Sequence, residues 1–329
     1  MSQAQAARTG KELIEATRAF AEEDLVRSWL ALVVTAGLFA VGIALQLQPI
    51  AWPLRIPIAV LQGGIAIRFF ILYHDHLHGA LLRASPPARA LFWLFGVWVM
   101  APPKVWRETH NYHHAHNAKI VGSHIGSYPM QTVAWWKTAT PRERYLYAFV
   151  RHPLTVFFAY FFAFFLDMCV LSFLRGYRKR WDSLVSALFT VGLAAGMIAG
   201  LGGAAWFWAI FLPQFIACAT GAYLFYAQHN FPDMTLQPRE LWSYERAALE
   251  SSSYMEMNPV LHWFTGNIGY HHVHHLNPGI PFYRLREAMD AIPELQHAGK
   301  TSLTPRDIGA CFELKLWDPE QQKMVGYPA

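Results

Sequence analysis

The stretch Gly266–Pro278, GNIGYHHVHHLNP, places histidine at four of five consecutive positions. On a helix His271, His274 and His275 stand at i, i+3 and i+4, so three imidazoles share one face and can converge on a metal. Two upstream stretches repeat the spacing. His74 and His78 in HDHLH are one turn apart, and His110, His113 and His114 in HNYHH reproduce the three-histidine arrangement. A chain that gathers these clusters must bring three distant segments to one place, and that requirement decides the fold.

The rest of the 329 residues says what kind of chain does the gathering. With 54% hydrophobic and 15% charged residues, the composition is that of a polytopic membrane protein rather than a soluble one. The formal charge of +5 does not point to nucleic acid, because the basic residues stand at the edges of apolar runs, where they set membrane orientation. Cys169, Cys218 and Cys311 are far apart and read as small apolar side chains, not as a disulfide framework or a thiolate metal site. The polar N-terminal stretch GKELIEATRAFAEEDLVR reads as a helix and lacks the pattern of a signal peptide.

A helix needs roughly 20 apolar residues to cross a bilayer. Five stretches approach that length: 29–47, 53–73, 154–174, 183–201 and 204–227. If the three clusters share a site they lie on one membrane face, which fixes the parity of the crossings. Arg8, Lys11, Arg18 and Arg27 before the first stretch and Arg83 and Arg89 after the second place the N-terminus and first cluster on the cytoplasmic side. The run Leu91–Met100 is too short to cross and is expected to bury and return. The stretch 154–174 contains Asp167 and precedes Arg175, Arg178, Lys179 and Arg180; a crossing there would put this basic loop outside and the last cluster on the wrong side. It is therefore expected to be interfacial or re-entrant. The expectation is an all-α integral membrane protein with four transmembrane helices and a cytoplasmic, histidine-rich helical cap. Residues 1–28 form a cytoplasmic N-terminal helix, 29–295 the membrane unit with its cap, and 296–329 a cytoplasmic tail. Within these, Arg68 is expected to snorkel to the interface, Tyr283–Leu295 to form an amphipathic helix, and FELKLW (312–317) a short strand.

Neutral imidazole binds iron, zinc and copper. With His229 at the end of the last apolar stretch, the clusters supply nine candidate ligands: His74, His78, His110, His113, His114, His229, His271, His274 and His275. A catalytic zinc uses about three protein ligands, so nine are too many for one ion and suit two irons. His76 points off the His74/His78 face, His116 and His272 neighbour candidates but could join them only by a shift of register, and His124, His152, His262 and His297 read as interfacial or surface residues. Asp75, Glu108 and Asp233 lie close enough in sequence to orient imidazoles through their second nitrogens.

HDHLHG, HNYHH, QHN and HHVHH, in this order with apolar stretches between, resemble the membrane fatty acid desaturase family over about residues 50–290, and GNIGYHHVHHLNPGIPFYRL is similar to the acyl-lipid desaturases. The resemblance implies a di-iron centre on the nine histidines, dioxygen as co-substrate, four transmembrane helices and an acyl tunnel beneath the cap. It implies introduction of a cis double bond into an acyl chain by an oxygen-dependent oxidoreductase, and a bacterial inner membrane is the expected location. Animal acyl-CoA desaturases carry an asparagine one turn before the position of His229; Phe225 stands there here, with Asn267 the substitute one turn before His271. No HPGG haem motif occurs, so electrons are expected from a separate donor of ferredoxin or cytochrome b5 type. Carotenoid ketolases or hydroxylases and alkane hydroxylases use similar sites and are the nearest alternative. A metal transporter or bis-histidine haem carrier fits less well, since ionisable residues are almost absent from the apolar stretches.

Overall fold

The computed structural model describes residues 8–120, 125–238 and 240–328. Helix α1 (Leu25–Gln46) begins under Asp24, whose carboxylate accepts from the amides of Val26 and Arg27, meeting donors that a helix start leaves unpaired. Beyond its far end, Arg55 donates to the carbonyls of Gln46, Gln48 and Ile50 and so satisfies acceptors around the helix end. Helix α2 (Trp52–His78) continues past its apolar run to Gly79, whose φ of 78° forms the left-handed cap. His74 and His78 consequently occupy its closing turns. Helix α3 (Pro86–Trp98) starts at Pro86 under Ser85 and buries Phe92 and Phe95. This is the short run expected to bury, and it is not among the helices long and apolar enough to cross a membrane. Helix α4 (Pro103–His116) carries the second cluster.

Two long helices follow, α5 (Trp181–Leu201) and α6 (Gly203–Gln228), joined at Gly202, where φ is 87°. The short helix α7 (His271–Leu276) carries the last cluster. Helices α1, α2, α5 and α6 are long and apolar enough to cross a membrane; over an apolar 18-residue stretch of each, 61% of α2 and 44% of α6 is buried, against 17% of α1 and 6% of α5. The inner pair is therefore α2 and α6. They meet closely at Gly63, where an added Cβ would stand 2.7 Å from the Ile216 side chain, a contact that only a residue without a side chain permits.

The stretch 154–174 comprises a short helix Pro153–Phe157 and a second helical run that is wide-turn π-helical over Tyr160–Leu171 and α-helical over Ser172–Gly176. It is not among the four long helices. Two two-stranded sheets complete a mostly helical chain: Tyr254–Glu256 runs parallel to Lys300–Ser302, and Leu316–Asp318 antiparallel to Lys323–Val325.

Three local expectations are corrected. The strand expected over 312–317 starts at Leu316, because Thr304 and Pro305 launch a helix that runs to Glu313. The helix expected over Tyr283–Leu295 is divided into Phe282–Arg284, Leu285–Ala291 and Pro293–His297, with Pro293 preventing continuation. Arg68 does not snorkel. It is buried, donates to the Trp263 carbonyl at 2.6 Å and to Thr35 at 3.2 Å, and lies 4.3 Å from the Trp263 ring, because α1 and the helix Pro259–Phe264 close over it. The three cysteines are free and buried, as expected.

Candidate metal centre

Four segments deliver the nine histidines to one place. His74 and His78 come from the end of α2, His110, His113 and His114 from α4, His229 from just beyond α6, and His271, His274 and His275 from α7. They sort into two groups. One ligand atom from each of His74, His78, His110, His114 and His274 lies within 4.8 Å of the others, and the same holds for His113, His229 and His275. His271 borders the second group, its Nε2 2.8 Å from Nε2 of His229.

Both triads are divided between the groups. Helix α4 sends His110 and His114 to the first and His113 to the second, while α7 sends His274 to the first and His275 to the second. A residue at i+3 and one at i+4 diverge by about 100° around a helix axis, enough to address two neighbouring points.

The ring geometry fits metal. Two nitrogens each about 2.0–2.1 Å from one ion, at right-angled to tetrahedral angles, stand roughly 2.9–3.4 Å apart. Here His74 and His110 approach Nε2 to Nε2 at 3.1 Å, His110 and His114 at 3.1 Å, His114 and His274 at 3.2 Å, and His113 and His229 at 3.0 Å. His78 Nε2 and His275 Nε2 are buried without a protein partner. His74 donates its Nδ1 proton to Asp75 at 2.9 Å, and His229 donates its own to the Ser251 carbonyl at 3.1 Å. Both rings therefore present Nε2 lone pairs inward, His74 toward Nε2 of His110 and His229 toward Nε2 of His113, where a cation could be shared.

Burial first, and neighbouring rings second, hold His110, His113, His114, His271, His274 and His275 well below the ordinary imidazole range. Burial brings His229 down to about 4. The rings are neutral at pH 7, the form that binds metal.

Among the neighbouring acids, Asp75 alone acts on a ring. Its second oxygen accepts from the Phe282 amide at 2.7 Å, tying α2 to the segment after α7. Glu108 instead pairs with Arg180 at 3.0 Å, and Asp233 is exposed; a helix face and a turn point both away from the rings. Asn267 donates to the Phe282 carbonyl at 3.1 Å and serves the backbone. Phe225 packs its ring 4.9 Å from that of His113 and 5.3 Å from that of His229. His76, His116 and His272 bond to the carbonyls of Leu81, Tyr112 and Leu295. His152 caps the helix Pro153–Phe157, and His297 is exposed. His262, expected near the surface, is buried and stacked 5.0 Å from Tyr270. His124 lies outside the described residues.

Two features escape the histidine pattern. Trp106 stacks on His110 at 4.1 Å and also touches His74 and His78; its place four residues before His110 on α4 was the available signal. The second is a cavity of about 770 Å³ walled by His74, His110 and His271 together with apolar side chains of α2, α4, α6 and residues 149–168. Its size is that of small-molecule sites, roughly 300–1,000 Å³.

Comparison with known proteins follows the same lines. The family model described as fatty acid desaturase matches residues 50–306. A fatty acid desaturase of Bacillus subtilis (strain 168) is 31% identical over 327 residues, covering 97% of this chain and 91% of that protein. An sn-1 oleoyl-lipid 12-desaturase of Synechocystis sp. is 22% identical, covering 91% of this chain and 86% of the relative. An sn-1 acyl-lipid omega-3 desaturase (ferredoxin) of Synechocystis sp. is 24% identical, covering 82% and 76%.

Proposed function

The chain belongs to the fatty acid desaturase family, and from that premise we propose that it introduces a cis double bond into the acyl chain of a membrane lipid at a di-iron centre. Two hydrogens leave adjacent methylenes and, with two electrons and two protons from outside, dioxygen is reduced to two waters. The single observation that carries this reading is the contact between cavity and rings: His74, His110 and His271 belong to the histidine assembly and also wall an apolar space. A methylene held there lies beside the metal groups.

His74, His78, His110, His114 and His274 would hold one iron, and His113, His229, His271 and His275 the other. Iron supplies the redox chemistry with dioxygen that hydrogen removal from an unactivated methylene requires and that zinc lacks. The protein's part is positional. Asp75 fixes the His74 tautomer, Trp106 holds the His110 ring by stacking, and the apolar walls exclude water while aligning the chain.

The reading extends to setting. The four long helices would cross a bacterial inner membrane, with the histidine cap and both termini cytoplasmic. Residues 1–28 form the N-terminal arm, 29–295 the membrane unit and 296–329 the tail. A separate carrier supplies electrons, of the ferredoxin type named for one relative or of cytochrome b5 type.

Expression in a host without polyunsaturated lipids, with an adequate electron donor, should produce new unsaturated acyl chains in its membrane profile. An unchanged profile would sink the acyl reading and favour carotenoid or alkane oxidation. For orientation, cysteine placed at the exposed Lys179 should react with an impermeant reagent only from the cytoplasmic side.

A further inference from the structure

The cavity lining includes exposed side chains. Phe149, Phe162 and Leu166 line it and are 37%, 38% and 42% exposed, and the Asp167 carboxylate beside them, paired with Arg175, is the charged group of the lining. A rim of this kind opens toward hydrocarbon, because a water-facing opening would leave a contiguous apolar patch exposed.

The two phenylalanines sit on separate arms. Phe149 belongs to the helix Pro141–Val150 and Phe162 to the wide-turn segment Tyr160–Leu171. Their rings meet edge to face with centroids 5.3 Å apart. Between the arms, Arg151 is fully buried. It donates to Asn230 at 2.6 Å and to the Pro129 carbonyl at 2.9 Å, so the junction is pinned while the outer faces carry Tyr145, Leu146, Phe157 and Phe161 exposed.

The same arms have a basic border. Lys137 is exposed before the first and Arg142 in its first turn, and Arg178 and Lys179 are exposed after the second. The local acids are already engaged: Glu143 in the capping box with Thr140, and Asp167 with Arg175 at 2.8 Å. Apolar faces edged by basic side chains match the boundary between acyl chains and phosphate headgroups.

We infer that Phe149 and Phe162 are the two leaves of a lateral gate, through which the acyl chain of a bilayer phospholipid slides from the membrane into the cavity while its phosphate stays on the basic border. The inference rests on the acyl-lipid reading for the identity of the cargo. Passage needs the two rings to part, since they meet edge to face in the cavity lining.

The test uses full-length, metal-free protein in phosphatidylcholine and phosphatidylglycerol vesicles, so its readout does not depend on catalysis. A phospholipid carrying a mid-chain diazirine should photolabel the cavity-facing residues Gly221 and Phe225, located by mass spectrometry. In the double variant Phe149→Cys and Phe162→Cys, closure with a short cleavable bis-thiol cross-linker should abolish that labelling, and cleavage should restore it. The native cysteines are buried, and each single variant treated identically controls for reagent effects. Labelling that persists through the closed gate, or interior labelling by a water-soluble acyl-CoA diazirine but not by the phospholipid, would overturn the proposal. Gated labelling combined with an unchanged fatty acid profile would leave the gate standing and reject the desaturase reading.

Discussion

The two histidine groups are built from the same side chain but are supported differently. The first gathers five rings, backed by the Asp75 carboxylate and the Trp106 face. The second gathers three with His271 at its border, and its supported ring, His229, rests on the Ser251 carbonyl. A carboxylate raises imidazole basicity more than a neutral carbonyl does. The difference teaches that two metal positions with similar ligands need not have similar affinities; the first should be tighter.

Replacing a ligand gives the largest expected effect. His274→Ala removes a ring from the first group and should abolish both its metal and desaturation, read from metal analysis of the purified protein and from lipid profiles. Two irons with full activity would break the assignment. His229→Ala should also end activity but leave one iron per chain. Loss of both irons would show that the groups fill as one unit, dissolving the contrast between them.

Support residues come next. Asp75→Asn should weaken metal at the first group by about 10–100-fold and spare the second, as read by chelator competition; equal weakening of both would mean that the contact to Phe282, not the ring, is what matters. Trp106→Ala should cost stability of about 3–5 kcal/mol, the scale for truncating a buried aromatic side chain, measurable as a lower unfolding temperature of the metal-free protein. The smallest effects belong to Glu108→Gln and Asp233→Asn, which should leave metal content unchanged. A loss of metal from either would restore a role for acids that the structure places away from the rings.

Much of this was legible. Apolar run length marked α1, α2, α5 and α6, because length and composition act locally along a chain. Histidine spacing marked eight of the nine rings, and the ninth, His229, was marked by its place at the end of the last apolar stretch. Less legible were residues whose partners are distant in sequence. Arg68 read as an interfacial cation until Trp263, 195 residues away, proved to cover it, and Asp75, Glu108 and Asp233 looked equivalent although only one meets a ring. Adjacency in sequence says nothing of direction in space.

By itself the sequence determined that three helical faces each carry histidines side by side, since 3.6 residues per turn fixes which side chains lie together. Only the tertiary structure decided how they divide. His113 and His114 are neighbours on one helix yet join different groups, as do His274 and His275. That choice depends on the relative rotation of α2, α4 and α7, which is set by packing between segments far apart in the chain, and the same packing leaves the apolar cavity open beside the rings.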